Sequence, residues 1–162
     1  MIYEVQGDIL KSSAQAIVHG VAANDPMTQG LSLAIHQMFP QMHKDFHKWC
    51  HQNHPKTGTV WKWEKVKNLM VINMLTQEGN SHNGSHPKKA NLTDVNHGLK
   101  ALKKLISKEK IKSIAVPRLS TGVGGLEWED VYPLIINQLE DINIPIYIYS
   151  TYIPGVKAQE PS

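Results

Sequence analysis

The sequence predicts an α/β three-layer sandwich built on a mixed, mainly parallel six-stranded sheet. Short apolar, β-branched or aromatic segments alternate with longer stretches of helical periodicity, and no internal repeat signals a solenoid. Several of the short segments are apolar on successive residues, as strands are when both faces of a sheet are covered. The 162 residues fit one domain of ordinary size.

In chain order, strands are expected at Ile2 to Gln6, Ala16 to Val21, Thr59 to Trp63, Leu69 to Leu75, Ser113 to Val116 and Ile144 to Ser150. Leu31 to Met38 and Met42 to Cys50 read as two helices divided by Pro40, which cannot continue the hydrogen bonding of the first. From Leu92 to Ser107 the residues Leu92, Val95, Leu99, Leu102, Leu105 and Ile106 recur on one face of a third helix. The last helix, Trp128 to Leu139, follows a glycine-rich turn, and Glu127, Glu129 and Asp130 favour its amino end. The polar stretch Gln77 to Lys89 is expected to be a long loop of the kind that serves as a lid or binding segment. The domain is expected to occupy residues 1–153, with residues 154–162 as a flexible, frayed tail.

Apolar residues make up 41% of the chain and charged ones 19%, which supports a buried core and argues against disorder. The formal charge of +3 suits an anionic small molecule at least as well as a nucleic-acid backbone. A single cysteine, Cys50, excludes an internal disulfide and points to a reducing compartment. No apolar run is long enough to span a bilayer, and the amino end lacks the features of a signal peptide, so the expectation is a cytoplasmic protein without membrane contact.

Three stretches carry chemistry. In Gln6-Gly7-Asp8-Ile9-Leu10 an acidic residue directly follows the first strand. Its carboxylate can accept from an exocyclic amine such as that of adenine, or it can cap a helix. The run from Val18 to Ile35 takes a buried strand through a small-residue loop into a helix, converging backbone N–H groups and the helix dipole where an anion could sit; Gly30 admits close approach, and a plain turn is the alternative. After the fifth strand, Ser120 to Gly125 offers three glycines and two hydroxyls, fit to wrap a phosphate or to form a turn without a ligand.

The joint order of these stretches resembles the macrodomain family from Gly7-Asp8 to Tyr149. The most specific parts are Met27-Thr28-Gln29-Gly30 and Pro117-Arg118-Leu119-Ser120-Thr121-Gly122-Val123-Gly124-Gly125-Leu126-Glu127-Trp128, which look like the branch of the terminal ADP-ribose glycohydrolase and the bacterial DNA-ADP-ribose antitoxins. The resemblance implies an ADP-ribose-binding module. Asp8 would read the adenine amine and Ile9 would supply the neighbouring contact. Thr28, Gln29, Gly30 and Leu31 would lie against the distal ribose and diphosphate. Ser120, Thr121, Gly122, Val123, Gly124 and Gly125 would clamp the diphosphate, and Tyr149 would pack on adenine. The implied partner is ADP-ribose or an ADP-ribosylated substrate, with removal of ADP-ribosyl groups or processing of an ADP-ribose derivative as the activity. A binding-only reader and an ADP-ribose 1''-phosphate phosphatase are the alternatives. No cofactor or metal is expected.

The chain departs from that branch in its catalytic groups. Where the covalent hydrolases carry a lysine after a threonine, Thr76 is followed by Gln77, and glutamine cannot attack a sugar carbon as an amine can. The assisting aspartate of the human-type pattern corresponds to Gly124. The first-loop asparagine of other hydrolytic members falls at or near Ala22, with Asn24 two residues on. Residues inserted after Thr76-Gln77-Glu78 place Ser85, His86, Lys88 and Lys89 near the distal ribose, and Glu78 or His86 is the candidate base on water.

Two rival readings rest on side-chain clusters. His43, His47, Cys50, His51 and His54 recur near helical spacing as zinc ligands would, although Lys44, Asp45 and Lys48 mark the segment as an ordinary polar helix face. Lys100, Lys103, Lys104, Lys108, Lys110 and Lys112 form a basic cluster that offers weak nucleic-acid contact. Trp61, Trp63 and Trp128 are expected in the core.

Overall fold

The computed structural model describes residues 1–66, 69–79 and 89–162. Strands β1 (Ile2–Gly7), β2 (Ala16–Ala22), β3 (Val60–Val66), β4 (Leu69–Gln77), β5 (Ile114–Val116) and β6 (Ile146–Tyr152) form one six-stranded sheet in the order β1-β6-β5-β2-β4-β3. Only β3, paired with β4, is antiparallel to its neighbour. Among the described residues the connections carry helices α1 (Gly30–Met38), α2 (Pro40–Asn53), α3 (Leu92–Glu109) and α4 (Trp128–Leu139).

Strand residues alternate between two hydrophobic clusters, one on each face of the sheet. Ile17, Val21, Val71, Leu75 and Ala115 pack with Ile35 of α1 and Met42 and Phe46 of α2. Their neighbours Ala16, Val18, Met70, Ile72 and Ile114 pack with Leu99 and Leu102 of α3 and Val131 and Ile135 of α4. Both faces are therefore covered, which is why the central strands read as continuous apolar runs and why the layers are helix, sheet, helix. Trp63 is buried and Trp61 and Trp128 pack partly buried against these clusters.

Two expectations require correction. Pro40 does not leave a gap between helices: it opens α2, which runs Pro40–Asn53 with Phe39 as the sole junction to α1. Proline is well suited to the first helical turn, where its missing N–H would have had no partner.

The second correction concerns residues 154–162, which are docked rather than frayed. The Gly155 N–H donates to Asp8 Oδ2 at 2.9 Å, and the Asp8 N–H donates to the Val156 carbonyl at 2.6 Å. Glu160 accepts from Ser12 Oγ at 2.5 Å, from the Ser13 N–H at 2.9 Å and from the Tyr149 hydroxyl at 2.6 Å. Tyr147 donates to the Pro161 carbonyl. These partners lie far away in sequence, so no local pattern announces them.

Candidate functional site

The carboxyl ends of β2, β5 and β6 open toward one side of the sheet, the position where parallel α/β sheets place ligands. The loop leaving β2 is built around Asp25, whose carboxylate accepts from the Ala22 N–H and the Met27 N–H, both at 2.9 Å. Met27 takes a left-handed φ of 51° and is fully buried, anchoring the loop to the core. Two histidines hold the loop from beneath: His36 Nδ1 donates to the Met27 carbonyl at 3.2 Å and His47 Nε2 to the Asp25 carbonyl at 2.9 Å. His43 sits between them, stacked on His36 with ring centroids 3.9 Å apart and tilted against His47 at 4.3 Å. Burial, reinforced by the two neighbouring imidazoles, lowers the His43 pKa. Gly30, with φ 59°, then turns the chain into α1, whose Gln29 cap makes no side-chain hydrogen bond to the first turn. The N–H groups of that turn point past the helix end, where the dipole favours an anion.

The loop leaving β5 is fixed by Leu119, which is buried, and by a tether from Ser120 Oγ to Thr76 Oγ1 of 2.9 Å. The tether holds Ser120 at a left-handed φ of 60°. Thr121 Oγ1 donates to the Arg118 carbonyl at 2.9 Å, and the Leu126 N–H returns to the Ser120 carbonyl at 2.9 Å. The turn is thus closed by its own hydroxyl and backbone bonds, leaving its glycine segment against the cleft.

Two adjoining cavities follow. Thr28, Gln29, Ser120, Gly122, Val123 and Gly124 line the first, of about 160 Å³, together with His19 and Gln77 at its floor. Ile9, Ala34 and residues 149–152 line the second, of about 610 Å³ and largely apolar. Gly30, Leu31, Pro117 and Arg118 line both, so the cavities meet along one seam. Arg118 is exposed there, with its Nε donating to the Ser150 carbonyl at 2.5 Å and its guanidinium 5.5 Å from the Trp128 ring. These contacts aim a cation at the boundary between a polar and an apolar half.

Beneath the first cavity His19 of β2 is buried beside Asn73 of β4, with Nε2 2.5 Å from Asn73 Oδ1 and Nδ1 3.0 Å from Ser32 Oγ. Burial pushes its pKa down to about 4, against partial opposition from the Asn73 hydrogen bond and from Asp25. In the unfolded chain the imidazole takes up a proton near pH ~6.5. Between those values the unfolded state binds more protons, so this contribution to stability is complete above about pH 6.5 and declines as pH falls toward 4, by roughly 3 kcal/mol in all. Denaturation measured from pH 7.5 down to 4.5 is expected to show a shallower decline for His19→Gln than for the parent. Parallel profiles would contradict the assignment.

The sequence-predicted residues are distributed as follows. Thr28, Gln29, Gly30, Leu31, Ser120, Gly122, Val123 and Gly124 come together in the first cavity, and Ile9 and Tyr149 in the second. Thr121 and Gly125 shape the loop without lining either cavity. Asp8 lies behind the second cavity as a cap: its Oδ1 accepts from the Leu10 N–H at 3.0 Å, ahead of a 3-10 turn at Ile9–Lys11. Asn24 is exposed and lines neither cavity; its N–H donates to Cys50 Sγ at 3.5 Å. Glu78 is exposed just beyond Gln77 and likewise lines neither. Ser85, His86 and Lys88 fall outside the described residues. Among the described residues no group of three His, Cys, Asp or Glu side chains is placed to hold a metal ion. Sequence reading missed Arg118, His19 and Ser32 as cavity residues. For Arg118 the signal was available, a lone cation immediately before the glycine-rich turn.

Comparison with known proteins agrees with this geometry. The Macro domain family model matches residues 18–135. A DNA ADP-ribosyl glycohydrolase of Mycobacterium tuberculosis is 30% identical over 156 residues, covering 91% of this chain and 42% of that protein. The chain thus spans less than half the length of that relative. An ADP-ribose 1''-phosphate phosphatase of Candida albicans is 19% identical, with 91% of this chain and 99% of that protein covered. The solved macrodomain of Mycobacterium tuberculosis DarG superimposes with a TM-score of 0.81 at 26% identity, covering 96% of this chain and 99% of that one. The two glycine-bearing loops, the sheet order that positions them and the match through residues 18–135 establish that this chain belongs to the macrodomain family.

Proposed function

We propose that the protein binds ADP-ribose across the two joined cavities, with the diphosphate and distal ribose in the first and the adenosine in the second. The observation that carries this reading is the shared seam: one continuous cleft has a polar, amide-rich half, an apolar half closed by Ile9 and Tyr149, and the Arg118 cation at their junction. An ADP-ribose molecule has the same division, with its negative charge in the middle. Backbone amides of the two loops and the Arg118 fork hold the phosphates, since guanidinium suits bidentate contact with phosphate oxygens. Asp8 keeps carboxylate lone pairs beyond the two that its backbone partners occupy, which leaves it able to accept from the adenine amine.

Removal of an ADP-ribosyl group is the second reading, favoured by the similarity to DNA ADP-ribosyl glycohydrolases. The lysine that the covalent hydrolases carry after the threonine is Gln77 here, on the cavity floor, and Gly124 carries no carboxylate, so that position supplies no amine for attack. Water activation is the route that remains, with Glu78, exposed beside the Gln77 floor and outside the cavity lining, as its candidate base among the described residues; loss of turnover of an ADP-ribosylated substrate in Glu78→Ala tests it.

Calorimetry decides the binding reading. ADP-ribose is expected to bind at least about ten-fold more tightly than AMP or ribose phosphate, and Arg118→Ala to weaken ADP-ribose by about ten-fold, a change of roughly 1.4 kcal/mol. Comparable affinity for all three ligands would contradict a cleft that reads the whole nucleotide.

A further inference from the structure

We propose that Ser32 is a ligand-reading hydroxyl of the first cavity, presented as a hydrogen-bond acceptor to a sugar hydroxyl and held in that polarity by His19 and Asn73. This rests on the ADP-ribose reading above and extends it to a residue and a selection rule that the loop motifs do not contain.

Asn73 is fully buried on β4. Its Nδ2 donates to the Met42 sulfur at 3.5 Å and its Oδ1 faces His19 Nε2 at 2.5 Å. The reverse amide orientation would set the carbonyl oxygen against a thioether, which has no proton to give, and leave a buried acceptor unsatisfied. Asn73 Oδ1 therefore accepts, and His19 Nε2 carries the proton.

A buried imidazole with no carboxylate hydrogen-bonded to either nitrogen remains neutral, so its other nitrogen, Nδ1, has a lone pair and no proton. The depressed pKa of His19 agrees with this. The groups facing His19 are Asn73 from β4, Ser32 from α1 and the Asp25 carboxylate from the first loop, the last already holding two backbone N–H groups. Ser32 Oγ, 3.0 Å from Nδ1, must then spend its one proton on the ring. What the hydroxyl has left is lone pairs, and Ser32 lines the first cavity. Lone pairs attract a donor such as a sugar hydroxyl and repel the acceptor oxygens of a phosphate. The relay thus separates the ribose end of the cavity from the phosphate end, which the loop amides and Arg118 serve. It also makes His19 a positioning residue, because the ring is buried beneath the cavity and acts on the ligand through the Ser32 hydroxyl.

The test compares ADP-ribose with ADP, which lacks the distal sugar, on the parent and on Ser32→Ala. The expected result is about a ten-fold loss of ADP-ribose affinity with ADP affinity unchanged within two-fold. Equal loss on both ligands, or no loss on either, overturns the proposal while leaving the nucleotide reading in place. Absence of ADP-ribose binding by the parent overturns the nucleotide reading instead. In either case nitrogen-15 NMR of the unliganded parent reads the relay directly: a protonated Nε2 and bare Nδ1 on His19 support it, and the opposite tautomer overturns it. Asn73→Asp, which pairs a carboxylate with the ring and favours a second proton on Nδ1, is expected to turn the Ser32 proton outward and shrink the preference for ADP-ribose over ADP. An unchanged preference in a folded Asn73→Asp protein would also overturn it.

Discussion

Gly124→Ala is expected to lower ADP-ribose affinity by on the order of a hundred-fold, about 2.7 kcal/mol, and to destabilise the fold by about 1–3 kcal/mol, the cost of forcing an extra carbon into a packed site. A Cβ at this position would lie 2.6 Å from the Ser120 carbonyl oxygen and 2.9 Å from Ser120 Cα. Those are backbone atoms, and Ser120 has no slack: its φ of 60° is held by the tether to Thr76. The loop must open to admit the methyl group, and the amides that face the phosphates move with it. Gly122 provides the internal comparison, since a Cβ there meets nothing within 4 Å. Gly122→Ala is expected to leave the melting temperature unchanged while weakening the ligand that fills the same cavity. Calorimetry and thermal denaturation of both variants check this, and indistinguishable behaviour of the two would contradict it. The same geometry explains why an aspartate placed at residue 124 would not restore the human-type assistance: the loop in this conformation has no room for a side chain there.

Removing residues 154–162 is expected to destabilise the protein by about 3 kcal/mol. The truncation deletes the Gly155 bond to Asp8 and all three bonds to Glu160. Hydrogen bonds to charged groups contribute about 1.5–3 kcal/mol each when well shielded, and partial exposure here reduces that. For a domain of this size the loss corresponds to a fall of roughly 6–12 °C in melting temperature. Binding should weaken too, because the tail fixes Asp8 and the Tyr149 hydroxyl, whose pKa burial and the Glu160 hydrogen bond both raise. Glu160→Gln keeps the shape and removes the charge, so a fall of about a third as much is expected. A truncated protein that melts with the parent would show the docking to be without energetic consequence.

The sheet was legible because its signal is local. Continuous apolar runs such as Ile17, Val18 and Val71, Ile72 report burial on both faces, and the period of α3 reports its inward stripe at Val95, Leu99, Leu102 and Ile106. The two loops were legible for the same reason: Gly30 and the segment from Ser120 to Gly125 carry their conformational demands in their own residue types. What escaped depends on contacts between distant residues. Glu160 meets Ser12 across 148 positions, and His19 meets Asn73 across 54, without a sequence pattern to join them. Asp8 was open to two readings, and the structure places it as a cap whose second oxygen is occupied by the tail. Of the histidines weighed as metal ligands, His47 instead braces the first loop, with the tilted ring of His43 against it. Pro40 was read for what it breaks, although its place at a helix start is equally physical.

The claim on which the rest depends is that one ligand occupies both cavities at once. Amide shifts recorded while ADP-ribose is added to nitrogen-15-labelled protein test this directly. The predicted result is movement of Gly30, Leu31, Gly122 and Gly124 together with Tyr149 and Tyr152, with AMP moving the second set and leaving Gly122 and Gly124 in place. Shifts confined to one cavity, or centred on the lysine-rich groove around Lys103, Lys110 and Lys112 at the far end of the sheet, would contradict it.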